Sequence, residues 1–303
     1  MTELKTLDDI DVEGRTVLVR ADLNVPMEEL ELLDGLRIER LIPTLSELLT
    51  RGAKVVLLSH FGRPEGKFDP ALSLRRVNEV IGAALERPPL PFAENCIGPD
   101  AKSVIDDLEP GEIALFENLR FHPGETANDP EFAKQLAALG DIFVNDAFSC
   151  AHRAHASVEA IAHILPSVAG RGMVAELEAL YSVLHDPQRP LAALIGGAKV
   201  SSKLALVSNL IEKVEVLAIG GAMANTFLRA KGIEVGKSLF EPTLVDTAGE
   251  ILAMAEAAKC HIILPEYVVV ASALNSGAKT HIVPVERIPP DQMILDIAER
   301  SAR

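Results

Sequence analysis

Tryptophan is absent from this 303-residue chain, tyrosine occurs only twice, and aromatic side chains make up 4% of it. Single-stranded nucleic acid needs aromatic faces to stack on, and a duplex needs a stripe of basic side chains. Neither is present: 44 acidic residues outnumber 29 basic ones and leave a formal net charge of −15, so nucleic acid is not an expected partner. Cysteine is nearly missing too. Cys96, Cys150 and Cys260 are widely spaced and odd in number, which argues against a disulfide framework and suits reduced thiols in the cytoplasm. No apolar run approaches membrane-spanning length, and Met1 to Gly14, with Glu3, Asp8, Asp9 and Asp11, lacks the apolar core of a secretory signal. No membrane partner is expected.

What is there is an ordinary globular balance, 48% apolar and 24% charged, at a length suited to about two domains. Apolar β-type runs alternate with helical periodicity: strand Thr16 to Arg20, helix Ile38 to Arg51, strand Lys54 to Ser59, helix Leu74 to Leu85, strand Glu112 to Phe116, helix Pro130 to Ala138 and strand Asp141 to Asn145. That order predicts an α/β fold with a parallel sheet. Val174, Leu177, Leu180, Tyr181 and Leu184 then recur at helical spacing until Asp186-Pro187-Gln188-Arg189-Pro190 stops them, which marks a domain boundary. The pattern restarts with strand Leu191 to Ile195, helix Ser201 to Glu212, strand Val216 to Ile219, helix Met223 to Arg229 and helix Thr243 to Ala258. Strands Ile262 to Leu264, Val268 to Ala271 and His281 to Val283 are expected to extend the second domain. The expected architecture is two Rossmann-like three-layer domains with parallel sheets, divided as 1–171, an interdomain helix 172–186, and 187–303.

In the first half, strand-like runs repeatedly end in cations: Arg20, His60 with Arg63, Arg120, and Arg153 after Ile142 to Val144, with Arg37 opening a helix nearby. In an open parallel sheet the carboxyl ends of the strands share one edge, so these cations are predicted to converge on a crevice suited to a small polyanion. Asp22-Leu23-Asn24, just past the first strand, adds short polar groups for ligand hydroxyls, although such residues also make plain turns. In His60-Phe61-Gly62-Arg63, Gly62 lets backbone approach a ligand while the flanking cations reach it, and Glu117-Asn118-Leu119-Arg120 repeats that design. Cys150, His152 and His155 have metal-ligand chemistry, but no partner cluster with structural-site spacing accompanies them, and Arg153 is the favoured residue of that segment.

In the second half, Ile195-Gly196-Gly197-Ala198-Lys199-Val200-Ser201-Ser202-Lys203 passes from a strand through two glycines into a helix, a phosphate-cradle pattern. Gly232 to Ser238 is a decoy: it has one residue too few between its glycines for a P-loop, and no clear strand precedes it. An anion site in one domain and a cradle in the other suit phosphoryl transfer.

Val17 to Pro26, Lys54 to Gly66, Glu117 to Glu125, Asp141 to Ser157, Gly196 to Ile211 and Ala218 to Ser238 together resemble phosphoglycerate kinase, in the family's order and approximate spacing. The resemblance implies reversible phosphoryl transfer between ATP and 3-phosphoglycerate, giving ADP and 1,3-bisphosphoglycerate, with magnesium accompanying the nucleotide. By motif, Asp22, Leu23, Asn24, Arg37, His60, Phe61, Gly62, Arg63, Arg120 and Arg153 would bind phosphoglycerate. Gly197, Lys199, Lys203, Gly220 and Gly221 would face the nucleotide, and Arg37 and Lys203 would stabilise the transferring phosphoryl group; no residue is assigned to a protein-held metal. The family's Asn-Gly-Pro and Gly-Gly-Gly-Asp-Thr/Ser segments are not found. The expectation is therefore a chain lacking the C-terminal part of the nucleotide-binding domain, its second sheet incomplete and self-association possible in a family that is usually monomeric. Two alternatives stay open: a fragment that binds 3-phosphoglycerate without turnover, and a non-catalytic phosphate-ligand-binding protein.

Overall fold

The structure, a computed structural model, describes residues 4–28 and 31–303. The chain divides into two units, Met1–Tyr181 and Ser182–Arg303.

The first unit is built on a parallel sheet of strands β1 (Thr16–Arg20), β2 (Lys54–Leu58), β3 (Phe92–Ala93), β4 (Ile113–Phe116), β5 (Ile142–Asn145) and β6 (Ser167–Ala169), in the spatial order β3-β4-β2-β1-β5-β6. Their nearly uninterrupted apolar character is what a sheet covered on both faces requires. Period-two alternation sorts the side chains. Val17, Val19, Val55, Leu57, Ile142 and Val144 enter one core with helices α1 (Leu36–Thr50) and α2 (Arg75–Ala84). Leu18, Val56, Leu58, Phe116 and Phe143 enter the other with α3 (Gly98–Asp106) and α4 (Pro130–Ala137). A one-residue slip of any strand would exchange the two sets.

Local chemistry starts and tilts the helices. In α1 the buried Ile38, Leu41, Leu45 and Leu48 form one stripe, while Pro43 sits inside the helix and deletes one rung of its backbone ladder. In α4, Asp129 caps the first turn by accepting from the Glu131 and Phe132 N–H groups, with Pro130 fixing the first helical φ. Helix α5 (Arg171–His185) begins in this unit, and the division between units falls within it. Its start is held by the carboxylate of Asp146, which accepts from the Met173 N–H at 2.8 Å, and by Arg171, which forks onto Asp8 and Glu47.

The second unit carries β7 (Ala192–Gly196), α6 (Leu204–Ile211), β8 (Val216–Gly220), α7 (Gly221–Ala230), α8 (Val245–Ala257) and β9 (His261–Ile263). Its parallel sheet has the order β9-β8-β7. The structure adds two particulars here. The strands beyond β9 do not extend this sheet: β10 (Tyr267–Ala271), β11 (His281–Pro284) and β12 (Met293–Ile297) form a separate antiparallel sheet in the order β11-β10-β12. The polar segment 272–280 is too short for the crossover that parallel pairing demands, whereas it closes an antiparallel pair readily. Helix α6 also starts three residues later than its periodicity suggests, because Ser201 is held in a turn by Glu241, whose carboxylate accepts from both its N–H and its hydroxyl.

Candidate active site

The polar residues of the first unit gather where β1, β2, β4 and β5 end, along the edge at which the strand order reverses direction. Ser59, fully buried after β2, ties two loops together: its hydroxyl donates to the Ala21 carbonyl at 2.7 Å and accepts from the Leu23 N–H at 2.9 Å. Asn24 Oδ1 accepts from the Gly62 N–H at 2.8 Å, and Arg120 donates to the Gly62 carbonyl at 2.7 Å. Gly62 itself has φ +61, a conformation that favours glycine, and an added Cβ would also press on the Leu72 side-chain tip at 2.6 Å. Glu117, also buried, accepts from the Ser73 hydroxyl and from the Leu74 and Asn118 N–H groups. It holds the loop carrying Arg120, with both of its oxygens engaged by the protein.

Arg63, Arg120, Arg153 and His155 line one concavity of about 530 Å³, together with Glu65 and Gly66. A second hollow, of about 190 Å³, is lined by residues that include Asp22, Arg37, Asp146 and Ser149. Arg37 lies on Asp22 at 3.0 Å and donates to the Asn24 carbonyl at 2.7 Å; Ser149 donates to the same aspartate. Leu23 and Phe61 turn inward into the apolar core, so what their positions offer a ligand is backbone.

Arg20 differs from its expected place on the crevice surface. It is fully buried, with Nη2 3.0 Å from His60 Nδ1. A guanidinium can only donate, so Nδ1 of His60 accepts and the neutral ring carries its proton on Nε2. Burial, then the charges of Arg20, Arg120 and Arg153, hold the imidazole neutral, with a pKa lowered to about 2. An Nε2–H donor among guanidiniums suits an anion. Asp22, His60 and Cys150 do lie close enough to suggest a metal, with ligand atoms within 4.8 Å of one another. The His60 lone pair is already spent on Arg20, which argues against that reading.

Because the unfolded chain takes up a proton on His60 near pH 6.5 and the folded one does not until about pH 2, this residue makes stability fall as pH drops through that window. The slope is at most about 1.4 kcal/mol per pH unit. His60→Gln therefore loses less stability than the parent between pH 6.5 and pH 4 in urea titrations; parallel losses would show that His60 is not the group responsible.

In the second unit, Gly196 pairs with Gly220 in register, and the chain crosses itself just beyond. A Cβ on Gly221, whose φ is +65, would stand 2.8 Å from the Gly197 carbonyl oxygen and 2.9 Å from its nitrogen. The Met223 N–H donates to that carbonyl at 2.8 Å, and the stem of Lys203 lies over Gly197. The expected cradle of backbone N–H groups is partly taken, since Glu241 occupies the Ser201 N–H; the Ser201 hydroxyl foremost, then that N–H, hold the Glu241 carboxyl below its ordinary value, with Lys199 adding a weaker attraction. A slot of about 140 Å³ beside the glycines is lined by Gly221, Ala222, Asn225, Leu239 and Pro265. Gly232 to Ser238 follows helix α7 and forms a structural turn, with the buried Ser238 bonded to Val235 and Ile294.

Sequence reasoning passed over Ser149, Glu125 and Ser157 and weighed His155 only as a metal ligand. Their proximity to the cations depends on tertiary folding, and only the position of Ser149 and His155 beside Arg153 gave any signal.

The phosphoglycerate kinase family model matches residues 7–303. The chain is 55% identical over 297 residues to phosphoglycerate kinase of Ruegeria sp. (strain TM1040), covering 98% of this chain and 75% of the relative. The Brucella abortus biovar 1 (strain 9-941) enzyme gives the same identity and coverage. Among solved structures, phosphoglycerate kinase from Coxiella burnetii superposes with a TM-score of 0.78 at 37% identity, covering 99% of this chain and 76% of that one. The Pyrococcus horikoshii OT3 enzyme gives 0.79 at 28%, with the same coverage. The chain thus spans about three quarters of the length of these relatives.

Proposed function

The chain belongs to the phosphoglycerate kinase family, and from that premise we propose that it transfers a phosphoryl group reversibly between ATP and the carboxylate of 3-phosphoglycerate, giving ADP and 1,3-bisphosphoglycerate. The observation that carries the proposal is the gathering of Arg63, Arg120 and Arg153 on one concavity, with the neutral, buried His60 within reach of the charges of Arg120 and Arg153. The phosphate of 3-phosphoglycerate is assigned to the three guanidiniums, whose planar forks match phosphate oxygens. His60 donates from Nε2, and Asp22 and Asn24 orient the hydroxyl and carboxylate end near Arg37.

No general base is needed, because the attacking carboxylate is already ionised at neutral pH. The protein's work is positioning and charge neutralisation. Arg37 and Lys203 are assigned to the transferring phosphoryl oxygens. Lys199 and the glycines Gly197, Gly220 and Gly221 are assigned to the nucleotide, and the slot beside Gly221 to its base. Magnesium arrives on the nucleotide phosphates: the carboxylate at the glycine turn, Glu241, is already engaged by Ser201, so the described residues offer the ion no preformed cage there. Its chemistry is to offset phosphate charge.

Among the described residues no helix is long and apolar enough to cross a membrane. The three cysteines are free and buried, which fits the cytoplasm. Small molecules are the proposed partners. A coupled assay with 3-phosphoglycerate and magnesium-ATP tests the reading: ADP release that requires 3-phosphoglycerate is expected. Binding without turnover would favour the non-catalytic alternative, and absence of both would refute the proposal.

A further inference from the structure

Arg20 and Glu125 are both fully buried, and no ion pair joins them directly. Ser157, equally buried, stands between: its hydroxyl accepts from Arg20 Nε at 2.9 Å and donates to Glu125 Oε1 at 2.7 Å, while its N–H donates to Glu125 Oε2 at 2.9 Å. Both carboxylate oxygens therefore accept from Ser157, and the hydroxyl proton is directed to Glu125. That leaves a serine lone pair facing Arg20, whose Nη1 donates to the Ala21 carbonyl and whose Nη2 is left for His60. The fork is fixed at three corners.

We infer that Glu125, Ser157 and Arg20 form a buried relay of positioning residues that sets the His60 tautomer and presents Nε2–H to the phosphoglycerate. The kinetic part of this inference rests on the proposed role of His60; the tautomer part does not. A carboxylate is needed at position 125 for a reason the geometry supplies. An amide has one acceptor end and one donor end, so Glu125→Gln must either oppose the Ser157 N–H with an N–H or turn its NH₂ group to the serine oxygen and leave the serine proton without its acceptor. In each case a buried donor loses its acceptor, and the serine that orients the guanidinium is disturbed. Glu125 is also the carboxylate nearest His155, whose Nδ1 lies 3.7 Å away with no hydrogen-bond partner among the described residues.

The test is long-range proton–nitrogen NMR on histidine-labelled protein without substrate, followed by steady-state kinetics. In the parent, His60 is expected as a single Nε2–H tautomer that does not titrate between pH 5 and 8; an Nδ1–H tautomer or an imidazolium there overturns the inference with no variant needed. Ser157→Ala and Glu125→Gln should both show His60 exchanging between tautomers, with Ser157→Thr restoring the single form. The KM for 3-phosphoglycerate should rise about tenfold in the first two, with kcat and the nucleotide KM within about twofold, as expected for one hydrogen bond to a charged ligand. A single unchanged tautomer in folded Ser157→Ala overturns the relay. A changed tautomer with unchanged phosphoglycerate KM supports the relay and removes His60 from the proposed ligand site.

Discussion

Lys203→Ala is expected to lower turnover by about 10²- to 10³-fold, the range found when one preorganised donor to a developing charge is removed, while calorimetric affinity for 3-phosphoglycerate stays within about twofold. The separation follows from placement. Lys203 belongs to the second unit, where its stem lies over Gly197, whereas the cations assigned to the phosphoglycerate phosphate line a concavity of the first. Structural loss is not the expected cause of the defect, because Lys203 occupies the cap position of α6 without a side-chain cap bond. Arg37→Ala should behave differently and change both turnover and phosphoglycerate affinity, since Arg37 pairs with Asp22 and donates to the Asn24 carbonyl. Kinetics of the two variants side by side decide the matter: an unchanged kcat in Lys203→Ala would withdraw that residue from the transferring phosphoryl group.

Gly221→Ala should cost about 2–4 kcal/mol and abolish measurable nucleotide binding. Two effects add: a side chain at φ +65 costs about 1–3 kcal/mol, and its Cβ would sit 2.8 and 2.9 Å from backbone atoms of Gly197, which have no rotamer to yield. Relief requires the chain crossing to separate, and with it go the Met223 to Gly197 hydrogen bond and the surface beneath Lys203. Gly232→Ala supplies the control, for it shares the positive φ, at +80, but meets nothing within 4 Å. Urea unfolding should place Gly232→Ala about 1 kcal/mol below the parent, the cost of the backbone conformation without the clash. Equal losses in both variants would mean that the contact with Gly197 is not rigid.

Strands buried on both faces announce themselves as short apolar runs, and β1, β2, β4 and β5 were readable within a residue of their ends. The motif residues were readable because Gly62 and the cations sit immediately past those runs. What was not legible depends on partners remote in sequence. Arg20 looked like one more strand-end cation, but Ser157, 137 residues further on, and Glu125 behind it make it a buried scaffold residue. The late start of α6 reflects Glu241, 40 residues from the serine it holds. Sequence also could not show that Leu23 and Phe61 point into the core while Asp22 lines the hollow: Leu23 and Phe61 lie in irregular segments where neither helical nor strand periodicity assigns a face. The antiparallel pairing of β10 with β11 and β12 was hidden for another reason. Alternation reveals a strand but not its direction.

The most direct test of the account is a calorimetric titration of the parent and of Arg63→Ala, Arg120→Ala and Arg153→Ala with 3-phosphoglycerate, and of the parent with glycerate, which lacks the phosphate. The account predicts saturable binding of 3-phosphoglycerate by the parent, at least about tenfold weaker binding in each variant, and no measurable binding of glycerate. Affinity for 3-phosphoglycerate that is unchanged across all three variants would contradict it.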